Sequence, residues 1–162
     1  MAKTRIGLGY DVHPLVSGRE LWLGGIRIEH DKGCLGHSDA DVLIHAICDA
    51  LLGAASLRDI GHHFPNTDPR FKGADSKTLL KQVGMLVKEA GYEIGNIDAT
   101  LAIEQPKINP HISRMQQVMA EVLGIPSNDI SIKATTNEGL GYVGTEKGVN
   151  AWAVALIYAG NK

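Results

Sequence analysis

Asp11 and His13 stand two residues apart in Gly7-Leu8-Gly9-Tyr10-Asp11-Val12-His13-Pro14, near the start of the sequence. In an extended segment side chains alternate faces, so this carboxylate and imidazole point the same way. A hard oxygen and a borderline nitrogen on one face form half of a zinc or manganese site. An isolated Asp-x-His is more often an ordinary exposed turn, so the rest of the chain must supply a third ligand. His45 is the strongest candidate, one turn into a helical pattern with its ring free to point off the N-terminal end. Asp41 lies four residues earlier on the same helical face and competes with it. Local spacing does not choose between Asp11 and Asp41. His37-Ser38 precedes the helix, whose free N–H groups and positive dipole end attract phosphate; Ser38 also suits a plain cap. Thr135, Thr136 and Glu138 follow a strand in a Gly-punctuated turn. Hydroxyls suit phosphate oxygens, and a carboxylate suits a Mg2+ that bridges two phosphates. Gly7-Leu8-Gly9 is not a dinucleotide fingerprint, because the third glycine would fall at Val12.

The elements that must position these residues follow from periodicity. Residues 4–11 read as a strand, and Glu20 to Ile28 as an extended pair broken at Gly24-Gly25. Gly33 to Gly36 read as loop. A helix starts with Ser38 or Asp39 as N-cap, carries the stripe Leu43, Ile44, Ile47, Ala50, Leu51, and ends near Gly53. Residues 56–74 lack periodicity and read as one long loop, the kind that is usually functional or mobile. Asp75-Ser76 caps a second helix that stops at Gly91; Asn109-Pro110 opens a third that stops at Gly124. Strands are expected over Ile94–Glu104, Asp129–Thr136 and Asn150–Tyr158. The order predicts one α+β domain over 1–162, a mixed β-sheet with helices packed on one face.

Composition sets the outer limits. A chain of 162 residues with 44% hydrophobic and 21% charged residues is long enough for one substantial core. A net charge of −2 gives no basic footprint for nucleic acid, and no apolar run is long enough to span a membrane. The start, Met1-Ala2-Lys3-Thr4, has no secretory or transit character. Cys34 and Cys48 have no CxxC spacing, which argues against a disulfide scaffold and for a reducing, cytoplasmic setting; Cys48 reads as a small core residue. The 19 glycines suggest tight turns and close backbone approaches, as phosphate sites require.

Taken together these segments resemble a known family, the 2-C-methyl-D-erythritol 2,4-cyclodiphosphate synthases of the non-mevalonate isoprenoid pathway. The resemblance is carried by Gly9-Tyr10-Asp11-Val12-His13, by Gly36 through His45, and by Asp49 through Ala55. It continues through Asp59-Ile60-Gly61, Phe64-Pro65, Thr67-Asp68-Pro69 and Phe71 through Ser76. Gln105-Pro106-Lys107, Pro110-His111-Ile112 and Lys133-Ala134-Thr135-Thr136 complete it in collinear order.

The resemblance implies a homotrimer with active sites between subunits, and a phosphorus–oxygen lyase acting on a small cytidine diphosphate substrate, 4-diphosphocytidyl-2-C-methyl-D-erythritol 2-phosphate. It implies zinc on Asp11, His13 and His45, and Mg2+ or Mn2+ on Glu138 and the substrate phosphates. His37 and Thr136 match the positions that stabilise the transition state. Substrate positions match Asp11, His13, His37, Ser38, Asp59, Ile60, Gly61, Phe64, Pro65, Asn66, Thr67 and Asp68. The cytidine pocket matches Pro106, Lys107, Ile108, Asn109, Ala134 and Thr135, with Thr136, Asn137, Glu138, Tyr142 and Thr145 further substrate positions. Two residues depart from the pattern. Asn66 replaces an aspartate, and Thr145 replaces an arginine that relatives associate with an isoprenoid diphosphate on the trimer axis. The departure at Thr145 implies that such binding is weakened or lost here. Two other readings compete: a zinc phosphohydrolase, and a non-catalytic trimeric domain that uses Asp11, His13 and His45 only to bind a structural metal or a nucleotide.

Overall fold

The computed structural model describes residues 3–160. Met1 and Ala2, part of the leader reading above, and the last two positions of the expected 1–162 domain lie outside them. The elements are β1 (Thr4–Ser17), β2 (Leu21–Leu23), β3 (Ile26–Ile28), β4 (Lys32–Cys34), α1 (Val42–Ala54), α2 (Ile60–His63), α3 (Ser76–Glu89), β5 (Tyr92–Ala102), α4 (Ile112–Leu123), β6 (Ile130–Thr135), α5 (Gly141–Gly144) and β7 (Gly148–Ala159). Short 3-10 turns cover Pro69–Phe71, Asn109–His111 and Ser127–Asp129.

Five strands form one mixed sheet in the order β4-β1-β7-β5-β6. Among the described residues only β5 and β6 run parallel. The expected α+β domain is present, with a mixed sheet and helices on one of its faces. β2 and β3 pair separately around Gly24-Gly25, whose φ angles of 59° and 78° suit the glycines of a tight hairpin.

The alternation of β1 sorts its residues cleanly. Ile6, Leu8, Tyr10 and Val12 point to the outer face and are exposed. Gly7, Gly9, Asp11 and His13 point to the helix layer. A Cβ on Gly9 would stand 1.8 Å from Ala46 O, and one on Gly7 2.0 Å from Ala50 O. These two glycines therefore let the backbone of α1 lie directly on β1. The close approach serves helix–strand packing rather than a phosphate. α1 is buried on nearly all sides, beneath α3 and above the sheet, so its sequence shows more than one apolar stripe. Cys34 and Cys48 are both buried and unbridged.

Three expectations need correction. Gly33 and Cys34 are not loop: they belong to β4, which pairs with Leu15–Ser17 of a β1 longer than expected. Residues 56–74 are not one structureless loop, because Asp59 caps α2 through His62 N and Asp68 caps the Pro69–Phe71 turn through Arg70 N. Both aspartates carried the signal, one residue before the turn begins, with Pro69 in first position. The N-cap of α1 is Asp41, not Ser38 or Asp39.

Candidate metal centre and phosphate-binding clefts

Because α1 rests on the two glycines of β1, the first turn of the helix overhangs the next two inward residues of the strand, Asp11 and His13. His45 projects there. His13 Nε2 lies 2.9 Å from Asp11 Oδ2, His45 Nδ1 lies 3.0 Å from the same oxygen, and the two ring nitrogens are 3.3 Å apart. One donor atom from each residue falls in a single cluster within 4.8 Å. Tetrahedral ligands on zinc bonds of about 2.0 Å are separated by about 3.3 Å, so the donor set fits that ion with little adjustment.

Electrostatics favour the same set. Burial pushes the Asp11 carboxyl upward, but hydrogen bonds and charge from His13 and His45 bring its pKa down to about 2. Burial opposes a charge on His45, yet Asp11 outweighs it and raises the imidazole pKa. His45 is 7% exposed, so its ring is buried against Asp11 rather than projecting freely off the helix end. His13 turns its other nitrogen, Nδ1, to Leu35 O at 3.0 Å. That carbonyl can only accept, so the proton sits on Nδ1 and Nε2 faces the cluster.

Asp41 is not available as a ligand. It is fully buried, and its carboxylate accepts from Gly24 N (3.0 Å), Gly25 N (2.7 Å) and Ile44 N (3.0 Å). Burial pushes its pKa up, while the Gly25 and Ile44 N–H groups pull it back. Asp41 ties the β2–β3 hairpin to the start of α1. Local spacing could not exclude it because its partners lie 16 and 17 residues away.

A cleft of about 220 Å³ opens over the cluster. Of the expected substrate residues it gathers Asp11, His13, His37, Ser38, Ile60, Gly61, Phe64 and Asn66. Asp59, Pro65, Thr67 and Asp68 do not line it. Asp59 is occupied as a cap, and Asp68 grips Arg70 with both oxygens. His37 is held by its carbonyl, which accepts from Gly73 N at 2.8 Å, while its buried Nε2 has no protein partner. An imidazole nitrogen left unpaired at a cleft wall is a natural contact for an anion.

A second cleft of about 150 Å³ lies between the ends of β5 and β6. Pro106, Lys107, Ile108, Asn109, Ala134, Thr135 and Thr136 line it as expected, joined by Ile103 and Glu104. No local sequence pattern marks Glu104. Its two oxygens accept from Asn137 N (2.9 Å) and Gly139 N (2.8 Å), one on each side of Glu138. Glu138 is held there at φ 53° with an exposed side chain. Asn137, Glu138, Tyr142 and Thr145 line neither cleft. Tyr142 sits beside Tyr10, which raises its phenol pKa, and Thr145 Oγ1 donates to Gly141 O at 2.9 Å. The two clefts share no residue within one chain.

A family model described as the YgbB family matches residues 4–158. The chain, with its helix-covered sheet and its Asp-His-His cluster beneath a helix start, belongs to that family. It is an enzyme, 66% identical over 155 residues to the 2-C-methyl-D-erythritol 2,4-cyclodiphosphate synthase of Cytophaga hutchinsonii, covering 96% of this chain and 98% of the relative. It is 65% identical to the synthase of the same name from Porphyromonas gingivalis, covering 96% of each. Among solved structures it is similar to the bifunctional IspDF of Campylobacter jejuni, with a TM-score of 0.96 at 38% identity, covering 99% of this chain and 44% of that one. A CDP complex of Plasmodium falciparum IspF matches with a TM-score of 0.86 at 34% identity, covering 98% and 97%. Among the described residues no helix is long and apolar enough to cross a membrane.

Proposed function

We propose that the chain converts 4-diphosphocytidyl-2-C-methyl-D-erythritol 2-phosphate into 2-C-methyl-D-erythritol 2,4-cyclodiphosphate and CMP, in the cytoplasm, as one domain spanning 1–162. The observation that carries this reading is the Asp11–His13–His45 cluster at the floor of a cleft, in a chain so similar to synthases of that name. A 2-phosphate oxygen bonds to the β-phosphorus, and the bond from that phosphorus to the bridging oxygen breaks. The electron pair leaves with CMP. The nucleophile is already an anion, so the chain needs no general base. Its task is to hold three phosphates together and stabilise charge on the β-phosphate oxygens.

Asp11, His13 and His45 would hold zinc, and Glu138 would hold Mg2+ or Mn2+ together with substrate phosphates. When bound, these cations would supply Lewis acidity and charge neutralisation toward the substrate phosphates. His37, through its unpaired Nε2, and Thr136, through its hydroxyl, stabilise the developing charge. Ser38, Asp59 to Gly61 and Phe64 to Asp68 bound the methylerythritol side, with Asn66 where relatives carry aspartate. Pro106 to Asn109 with Ala134 and Thr135 take the cytidine; the CDP complexes among the similar structures support a cytidine nucleotide as ligand.

The active unit is a homotrimer. Two observations support it. The two clefts are separate within one chain, so a neighbour must complete each site. The outer sheet face is apolar and uncovered, with Ile6 71%, Leu8 69% and Val154 44% exposed. Tyr142 sits beside Tyr10 of that face, and Thr145 in place of arginine weakens any anion site on the trimer axis. Chelation tests the catalytic role of the metal. Removing zinc should abolish CMP release and leave the circular dichroism spectrum intact; unfolding on chelation would make the site structural.

A further inference from the structure

The two ring nitrogens of His45 have different neighbours. Nδ1 faces Asp11 Oδ2 at 3.0 Å and His13 Nε2 at 3.3 Å. Nε2 faces the hydroxyls of Ser76 at 3.0 Å and Ser38 at 3.3 Å. Ser76 is fully buried and is itself gripped by Asp39: its hydroxyl donates to Asp39 Oδ1, and its N–H donates to Asp39 Oδ2 at 2.9 Å. We infer that Asp39 and Ser76 are positioning residues for the metal, a relay that keeps the His45 proton on Nε2 and reserves Nδ1 for the ion. The inference rests on the zinc reading of Asp11, His13 and His45 given above.

A carboxylate has no proton to give, so the single Ser76 proton goes to Asp39. Ser76 Oγ then has only lone pairs for His45, and the nitrogen that meets it must carry the hydrogen. The opposite arrangement would turn the Ser76 proton to His45 and set two bare oxygens against each other in a buried site. With Nε2 protonated, Nδ1 is the free ligand atom, and it already faces the cluster. The Asp39 charge, passed through the hydroxyl, also makes His45 a better ligand. His13 obeys the same logic through Leu35 O, so both imidazoles have their tautomers fixed from behind.

Backbone contacts lock the relay in place. Asp39 N donates to Ala74 O at 3.1 Å, and Gly73 N donates to His37 O at 2.8 Å. The segment that carries His37 is therefore stitched to the start of α3, whose first residue is Ser76. In sequence, Asp39 and Ser76 read as capping residues; neither accepts the capping bond, which Asp41 and Asp75 take instead.

The test measures zinc affinity of the full chain by competition with a chromogenic chelator. Partners of this kind change metal affinity by about 10–100-fold. Ser76→Ala should weaken zinc binding by that factor while the metal-free protein keeps its circular dichroism spectrum. Asp39→Asn should weaken it as well, because the amide supplies no charge and sets its NH2 against Ser76 N–H. In zinc-loaded wild type, imidazole 15N spectra should show His45 bound through Nδ1 with Nε2 protonated. A zinc affinity within twofold of wild type in Ser76→Ala, or coordination of His45 through Nε2, overturns the relay. The spectra decide alone if the variants do not fold. Wild type that binds no zinc, or His45→Ala that binds it undiminished, overturns the zinc reading itself, and those two measurements identify that case.

Discussion

Asp41→Asn separates the two carboxylates that local spacing leaves equivalent. Asp41 Oδ1 accepts from Gly24 N and Ile44 N, and Oδ2 accepts from Gly25 N. An asparagine can keep its oxygen on one side only. At least one buried N–H then loses its acceptor and meets an amide N–H instead. Leaving one such group unsatisfied costs about 1–3 kcal/mol. Asp41→Ala removes both acceptor oxygens and with them all three hydrogen bonds, the helix cap included, at about 1–3 kcal/mol for each N–H left unsatisfied. Urea denaturation of metal-free protein, at one protein concentration so that subunit association is held fixed, measures the loss. Zinc affinity of the folded variant should stay within about threefold of wild type, since none of the cluster contacts involves Asp41. Asp11→Asn should do the reverse to the metal and weaken zinc binding strongly. An Asp41→Asn protein of unchanged stability that loses zinc would refute the assignment of the two aspartates.

Three further outcomes are expected. Leu8→Asp places a charge on the apolar outer face and should dissociate the proposed trimer; unburied leucines cost about 1.5–3 kcal/mol each, and a sedimentation profile identical to wild type would argue against that interface. Glu138→Gln and Glu104→Ala should each raise the Mg2+ concentration for half-maximal rate at unchanged zinc content, one by removing the carboxylate and the other by releasing its loop; an unaltered Mg2+ titration contradicts the role of Glu138. The pH dependence has two opposed arms. The raised His45 pKa stabilises metal-free protein below the ordinary value of 6.5, and that gain is lost as pH rises through the raised value. Zinc must displace the same proton, so its affinity should fall by about tenfold per pH unit for each proton displaced as pH drops through that window. Chemical denaturation and chelator competition across pH 5–9 should show the two trends running in opposite directions.

The sequence carries the site unevenly, for physical reasons. Asp11 and His13 share a face because strand alternation is a local rule. His45 is legible because a helix start has a recognisable position, although its depth is not, since burial comes from α3 and β1. Gly7 and Gly9 look like generic turn formers until α1 lies across them. Asp41, Asp39, Ser76 and Glu104 all act on groups at least 16 residues away or across a turn of another segment. No periodicity encodes such pairs. The caps at Asp59 and Asp68, by contrast, were local signals within reach of a closer reading of residues 56–74.

The central claim is that an internal phosphate, not water, attacks the β-phosphorus above the Asp11–His13–His45 cluster. Turnover of 4-diphosphocytidyl-2-C-methyl-D-erythritol 2-phosphate in H2 18O, followed by mass analysis of both products, tests it most directly. The account predicts a cyclic diphosphate and CMP, each free of solvent-derived 18O. One 18O atom in a ring-opened phosphate product would show hydrolysis and contradict it.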